Sequence, residues 1–248
     1  MRMNIVKNSF LVIVFLAVGI VSCVDHAADN EAEIEQARID SLAQAEIEVE
    51  LFDDYIADAD NGINEDDVVE GDFGVRHVVW NPITSVRTPE YNELVSVHYA
   101  GQFLTNEIFD TTNPSWAQDS DSLNYVEEGI SFDDLLEASS KSYLELLDSL
   151  NSSDGAILNP LYDADRLYVP IVFNHTEDGS GIGNTFIIGF RIGLRDAMIK
   201  MELNSEALIM IPSAVAYGTF GTFNSDGTES IPPDTPLIFK FSLVNIRP

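Results

Sequence analysis

The stretch L-V-S-V-H-Y-A-G-Q-F-L-T-N-E-I-F-D-T-T, residues 94–112, decides the fold. Its first part alternates apolar and polar side chains and ends at Tyr99-Ala100-Gly101; a second strand begins near Gln102 and ends at Phe109-Asp110. Period-2 alternation of this kind marks strands with one face buried. Working outward, G-V-R-H-V-V-W (74–80) reads as another strand, stopped by Asn81-Pro82. Downstream, A-L-I-M-I-P-S-A-V-A-Y-G-T-F-G (207–221) and S-I-P-P-D-T-P-L-I-F-K-F-S-L-V-N-I (230–246) are again strand-like. Between these blocks Leu194, Ala197, Met198 and Met201 recur at helical spacing, so a short helix is expected near Gly193 to Met201. Strands with one short helix give an α+β reading.

The 248 residues carry 42 acidic and 12 basic side chains, a formal charge of −30. Proteins that grip nucleic acid do so by neutralising phosphates with Lys and Arg, so this balance speaks against that function and against attraction to an anionic membrane surface. With 45% hydrophobic residues the chain still has enough apolar material to build a core. The acid is uneven: residues 186–248 hold six acidic and five basic groups, and the remaining 36 acids lie before them. The acidic run Asp58 to Asp67 is not an EF-hand loop, because a turn glycine at Gly62 would put Ala57 and Ala59 at the first and third ligand positions. Four scattered histidines (His26, His77, His98, His175) show no metal-ligand spacing. No phosphate loop, nucleophile elbow or His-Glu-x-x-His pattern occurs, so no cofactor or metal is expected.

The single cysteine excludes an intrachain disulfide. Arg2 and Lys7 precede a short apolar run, and Ile20-Val21-Ser22-Cys23 follows. This is the layout of a secretory signal, too short for a comfortable membrane span. Its ending resembles the lipobox of bacterial lipoproteins such as those of Bacteroidetes-like bacteria. That resemblance implies removal of residues 1–22, a diacylated, palmitate-type Cys23 as the mature N-terminus, and an outer-membrane anchor facing the periplasm or the cell exterior. Residues 23–70 then read as an acidic tether and N-terminal helix, with Ile34, Ala37, Ile39, Leu42, Ala45 and Ile47 at roughly helical spacing, and residues 71–248 as the folded domain.

Three pieces of that domain carry a further resemblance: V-H-Y-A-G (97–101) with F-D at 109–110, I-P-S-x-x-A-Y-G (211–218) with a glycine three residues on, and I-P-P (231–233) followed by L-I-F-x-F (237–241). In this order they resemble the FKBP-type peptidyl-prolyl cis-trans isomerases. The resemblance implies a twisted antiparallel sheet wrapped around a short helix, with a prolyl pocket between them, and proline-containing polypeptides folding outside the cytoplasm as substrates. It assigns Tyr99, Phe109 and Phe239 as aromatic walls, Ile231 as an aliphatic edge, Asp110 as an acceptor and Tyr217 as a hydroxyl donor. The family's V-I-x-G-W turn supplies an amide donor and a tryptophan floor, and two registers compete for it here. Phe186-Ile187-Ile188-Gly189-Phe190 gives Ile187 as donor and Phe190 as floor; Phe190-Arg191-Ile192-Gly193-Leu194 leaves Leu194 as floor. The first keeps an aromatic floor and is preferred; both lose the tryptophan. That loss leaves open an alternative, an FKBP-like chaperone or binding module with little isomerase activity.

Residues 113–185 fill the place of a short family segment. Ser131 can cap a helix with Asp134 three residues on, and Phe132, Leu135, Leu136, Tyr143, Leu146, Leu147 and Leu150 supply its stripe up to about Asn151. Leu167 to Phe173 looks like a strand, in which P-I-V-F (170–173) resembles the family's P-F-x-F and places Phe173, with Phe186, at the substrate. The insertion is then about 113–166. Its ends flank the expected pocket, so it is either a rim element or an elaboration packed outside the sheet.

Overall fold

The structure, a computed structural model, describes residues 35–81, 87–125, 131–151, 160–163, 165–225 and 227–248. The expected signal sequence, with Cys23, lies outside the described residues. The chain divides into two compact units, Met1–Glu50 and Leu51–Pro248. Residues 35–50 of the first and 51–57 of the second are helical (α1), and Ile39, Leu42 and Ile47 are among the exposed side chains of the first. Among the described residues no helix is long and apolar enough to cross a membrane.

The second unit is built on a seven-stranded antiparallel sheet. Its strands are β1 (Val69–Glu70), β2 (Arg76–Trp80), β3 (Leu94–Gln102), β4 (Ile108–Thr111), β5 (Ile171–Asn174), β6 (Glu206–Ile211) and β9 (Leu237–Arg247); β7 (Thr222–Phe223) and β8 (Glu229–Ile231) form a separate hairpin. The order is β1-β2-β6-β9-β3-β4, with β5 also on β3. One edge of β3 pairs with β9 along its whole length, while the other edge is shared: Leu94 to Val97 pair with β5 and Ala100 to Gln102 with β4. The insertion therefore leaves and returns along a single strand edge. This is the α+β architecture that the resemblance implied, an antiparallel sheet with a short helix, and it carries a partly helical insertion.

The alternation along β9 separates two cores. Leu237, Phe239, Phe241 and Leu243 turn inward to helix α5 (Ile188–Met198), which buries Phe190, Leu194, Ala197 and Met198. Ile238 joins Val78, Leu208 and Met210 on the outer face, where Phe52, Tyr55 and Ile56 cover them. Helix α5 begins five residues before the expected Gly193 and ends before Met201. Gly189 and Gly193, which read as breakers in isolation, form its contact face: a Cβ there would stand 2.2 Å from the Ile211 and Ile209 Cγ2 atoms respectively.

The insertion opens with helix α2 (Pro114–Asn124), unforeseen although Asn113 caps it and Pro114 fills its first turn. The single expected helix after Ser131 is two, α3 (Phe132–Ala138) and α4 (Tyr143–Asn151). Ser131 and Asp134 do form a capping box. The break follows from the serines at 139, 140 and 142: Ser142 builds a second cap with Glu145, whose carboxylate accepts from the Ser142 amide at 2.8 Å. Tyr125, Phe132, Leu146 and Leu147 give the insertion its own small core. The strand expected over 167–173 is confined to Ile171–Asn174, because only there does the chain meet β3.

His77, on β2, is 3% exposed, and neither ring nitrogen has a hydrogen-bond partner among the described residues. Burial is the main cause of its lowered pKa, with the Lys200 charge second. A histidine held neutral in the fold takes up its proton more readily when unfolded, so its contribution to stability is intact above about pH 6.5 and is lost as pH falls below that value. His77→Leu is expected to show a smaller drop in denaturation midpoint between about pH 7 and pH 5 than the parent chain; an equal drop would refute this.

Candidate active site

Four segments converge on the inner end of β3. Tyr99 is partly buried and meets the rings of Phe190, Phe239 and Phe186 at centroid distances of 5.8, 6.1 and 6.5 Å. Phe190 stacks on Phe186 at 4.5 Å and stands edge-on to Phe239 and Phe241 at 5.2 and 5.0 Å. Phe109 closes the group against Phe239 at 6.0 Å. Edge-to-face arrangements of this kind add to the area they bury.

The local sequence explains the aim of each side chain. In the β3–β4 ladder Gly101 pairs with Asp110 and Gln102 with Ile108, so Phe109 is the extra residue of a β-bulge, the usual device for redirecting a side chain. Gly101 leaves room for that ring: a Cβ would lie 2.6 Å from the Phe109 ring and 3.0 Å from Phe239, so a larger residue would push the Phe109 ring aside. Phe190 comes from the first turn of α5, and Leu194 lies one turn further along in the core. The ring beneath Tyr99 and Phe239 is thus Phe190, the arrangement of the first register.

The polar edge is a chain of contacts. The Tyr99 hydroxyl donates to Asp110 Oδ2 at 2.6 Å, and Arg166 Nη2 reaches Asp110 Oδ1 at 3.1 Å. Burial first, then the Asp110 carboxylate that accepts its proton, drive the Tyr99 hydroxyl pKa far up, so it remains a donor. Burial and the Asp110 charge likewise raise Tyr217, whose hydroxyl has no hydrogen-bond partner among the described residues. Among the described residues the Ile187 amide donates to no other backbone group. Two donors are therefore available beside an apolar box.

Ile231 is buried on β8 in the same core cluster against which Tyr217 and Ile187 pack. Phe173 differs: it pairs with Val95, four residues along β3 from Tyr99, and makes no ring contact with the aromatic group. Sequence reasoning missed Arg166 and Phe241. Arg166 had a signal, since it and Lys141 are the only cations between 113 and 185. A separate cavity of about 530 Å³ lies on the outer face between the β3–β4 turn and α2, bordered by Gln102, Ile108, Trp116 and Lys240. It contains none of these site residues, and its Lys240 is engaged by Glu206 at 3.1 Å and by the Trp116 ring.

Residues 177–244 match the family model of FKBP-type peptidyl-prolyl cis-trans isomerase, a span that includes α5, β6, Tyr217, Ile231 and Phe239. No curated protein matches the chain. Among solved structures it is similar to a peptidyl-prolyl cis-trans isomerase from Pseudomonas syringae (19% identity, 84% of this chain and 96% of the other, TM-score 0.41) and to FkpA from Escherichia coli (17%, 89% and 71%, TM-score 0.37).

Proposed function

We infer that the protein is a peptidyl-prolyl cis-trans isomerase of FKBP type, acting on proline-containing polypeptides outside the cytoplasm. The observation that carries this is the box of Tyr99, Phe109, Phe190 and Phe239 with two uncommitted donors at its edge, inside and beside a segment that matches the family. An X-Pro bond isomerises over a barrier of about 18–20 kcal/mol because the imide loses resonance as it twists. No proton or covalent bond has to move. A dry aromatic box that takes the pyrrolidine ring, with the Tyr217 hydroxyl and the Ile187 amide donating to flanking carbonyls, binds the twisted imide better than the planar one and so lowers the barrier. Each 1.4 kcal/mol or so of such preference is worth about tenfold in rate.

A protease-coupled proline-peptide assay on the chain from Val24 tests this. Phe109→Ala combined with Tyr217→Phe is expected to lower kcat/KM by at least about tenfold with the far-ultraviolet spectrum unchanged; full activity in that double variant would overturn the site assignment. The second reading, a binding module with little catalysis, rests on Phe190 where the family has tryptophan. It predicts suppression of client aggregation by a chain that is silent in the peptide assay.

The envelope setting rests on the lipobox-like Ile20-Val21-Ser22-Cys23. A thioether-linked diacyl anchor on Cys23 would hold the folded domain at the outer membrane on the acidic segment after it, whose charge keeps the tether solvated and clear of anionic lipid. Cys23→Ser is expected to move the protein from the membrane fraction to the soluble one and to abolish palmitate labelling; retention of the label would reject the anchor.

A further inference from the structure

The insertion is closed at its base by contacts that end on the catalytic edge. Asp121, on α2, is 1% exposed, and its two carboxylate oxygens accept from the backbone amides of Leu161 and Tyr162, each at 2.8 Å. A buried carboxylate is costly unless its oxygens are satisfied, and here both are spent on holding the returning chain rather than on α2 itself. That returning chain is braced. Tyr162 stacks on Tyr168 with rings 7° from parallel; the Tyr168 hydroxyl accepts from the Asp163 amide at 3.0 Å and donates to the Leu161 carbonyl at 2.9 Å. The Arg166 guanidinium lies 5.0 Å over the Tyr168 ring and its Nη2 reaches Asp110. On the other side, Asn113 caps α2 and its amide donates to Thr111 Oγ1, which itself donates to the Tyr99 carbonyl at 2.7 Å. The path from Asp110 through α2, Asp121, Tyr168 and Arg166 thus returns to Asp110 as a closed ring.

We propose that Asp121 is a positioning residue for the prolyl site: it locks the returning chain so that Arg166 holds the Asp110 carboxylate toward the Tyr99 hydroxyl. This rests on the isomerase reading above. Arg166 and Asp110 are each about two-fifths exposed, so their attraction alone is weakly orienting in water and the geometry has to come from the brace. The insertion then serves catalysis through its base, whatever its helices do.

The test uses the full chain with Asp121→Ala, Arg166→Leu and the double variant, read by peptide isomerisation and by the Tyr99 hydroxyl proton resonance in NMR spectra. Each single variant is expected to lower kcat/KM by about tenfold, the double no further, and the hydroxyl resonance to broaden equally in all three. Losses that multiply in the double, an unchanged resonance, or full activity in Asp121→Ala would each overturn the proposal. Arg166→Leu removes only a half-exposed side chain and so keeps the test valid if Asp121→Ala loosens the insertion. A parent chain without isomerase activity would count against the functional reading, and the resonance would still decide the positioning.

Discussion

Phe190→Ala is expected to lower the unfolding free energy by about 3–5 kcal/mol, the range for truncating a fully buried phenylalanine, and to abolish prolyl isomerisation. Phe190 is 1% exposed and touches the rings of Tyr99, Phe186, Phe239 and Phe241. Rings pivot but do not shrink, so a void on this scale collapses poorly and the cost falls toward the upper end. The stability loss would by itself cloud the activity result. Phe190→Leu separates the two: it keeps most of the apolar volume and is expected to leave a folded chain, while removing the flat surface on which a pyrrolidine ring would sit. Denaturant titration and the protease-coupled assay on both variants check this. A Phe190→Leu chain of full activity would remove Phe190 from the site.

The second large effect comes from a residue that touches no substrate. Gly193→Ala should help α5 by about 1 kcal/mol through helix propensity alone. The tertiary contact reverses the sign. The added Cβ would stand 2.2 Å from Ile209 Cγ2 and 2.9 Å from its Cδ1, and Ile209 is fully buried in β6 with its β-branched side chain restricted at χ1. Overpacking at the top of the usual range of about 1–3 kcal/mol outweighs the propensity gain, for a net loss of about 2 kcal/mol. Because α5 also carries Phe190, lifting it off the sheet should reduce activity as well. Ile209→Ala in the Gly193→Ala background is expected to recover part of the loss, so the double variant is less destabilised than the two singles together. Thermal or denaturant midpoints that simply add would refute the contact.

Much of the site was legible because its information is local. The alternation through Tyr99 marks a strand and the side chains that share its face, since a strand's period of two is a property of the backbone. Phe239 on β9 and the capping box at Ser131 are local in the same way. The roles of Phe109 and Asp110 came from the family resemblance, and the aim of Phe109 from a bulge that the alternation does not show. Composition alone placed the acid on the tether and insertion and left the C-terminal sheet nearly neutral.

Other features depend on partners far away in the chain. The start of α5, and with it the choice of Phe190 over Leu194, follows from two glycines that meet Ile211 and Ile209 across the helix–sheet contact; in the sequence those glycines look like helix breakers. Arg166 reaches Asp110 over a separation of 56 residues, which no spacing rule anticipates. Phe173 has the residue type expected near the pocket, yet its pairing with Val95 sets it four residues down β3 from Tyr99. Local pattern encodes what a segment can form and which face it buries, whereas register and long-range pairing are settled only when the segments compete for the same surfaces, and in this protein those contacts select the ring beneath Tyr99 and Phe239 and the cation beside Asp110.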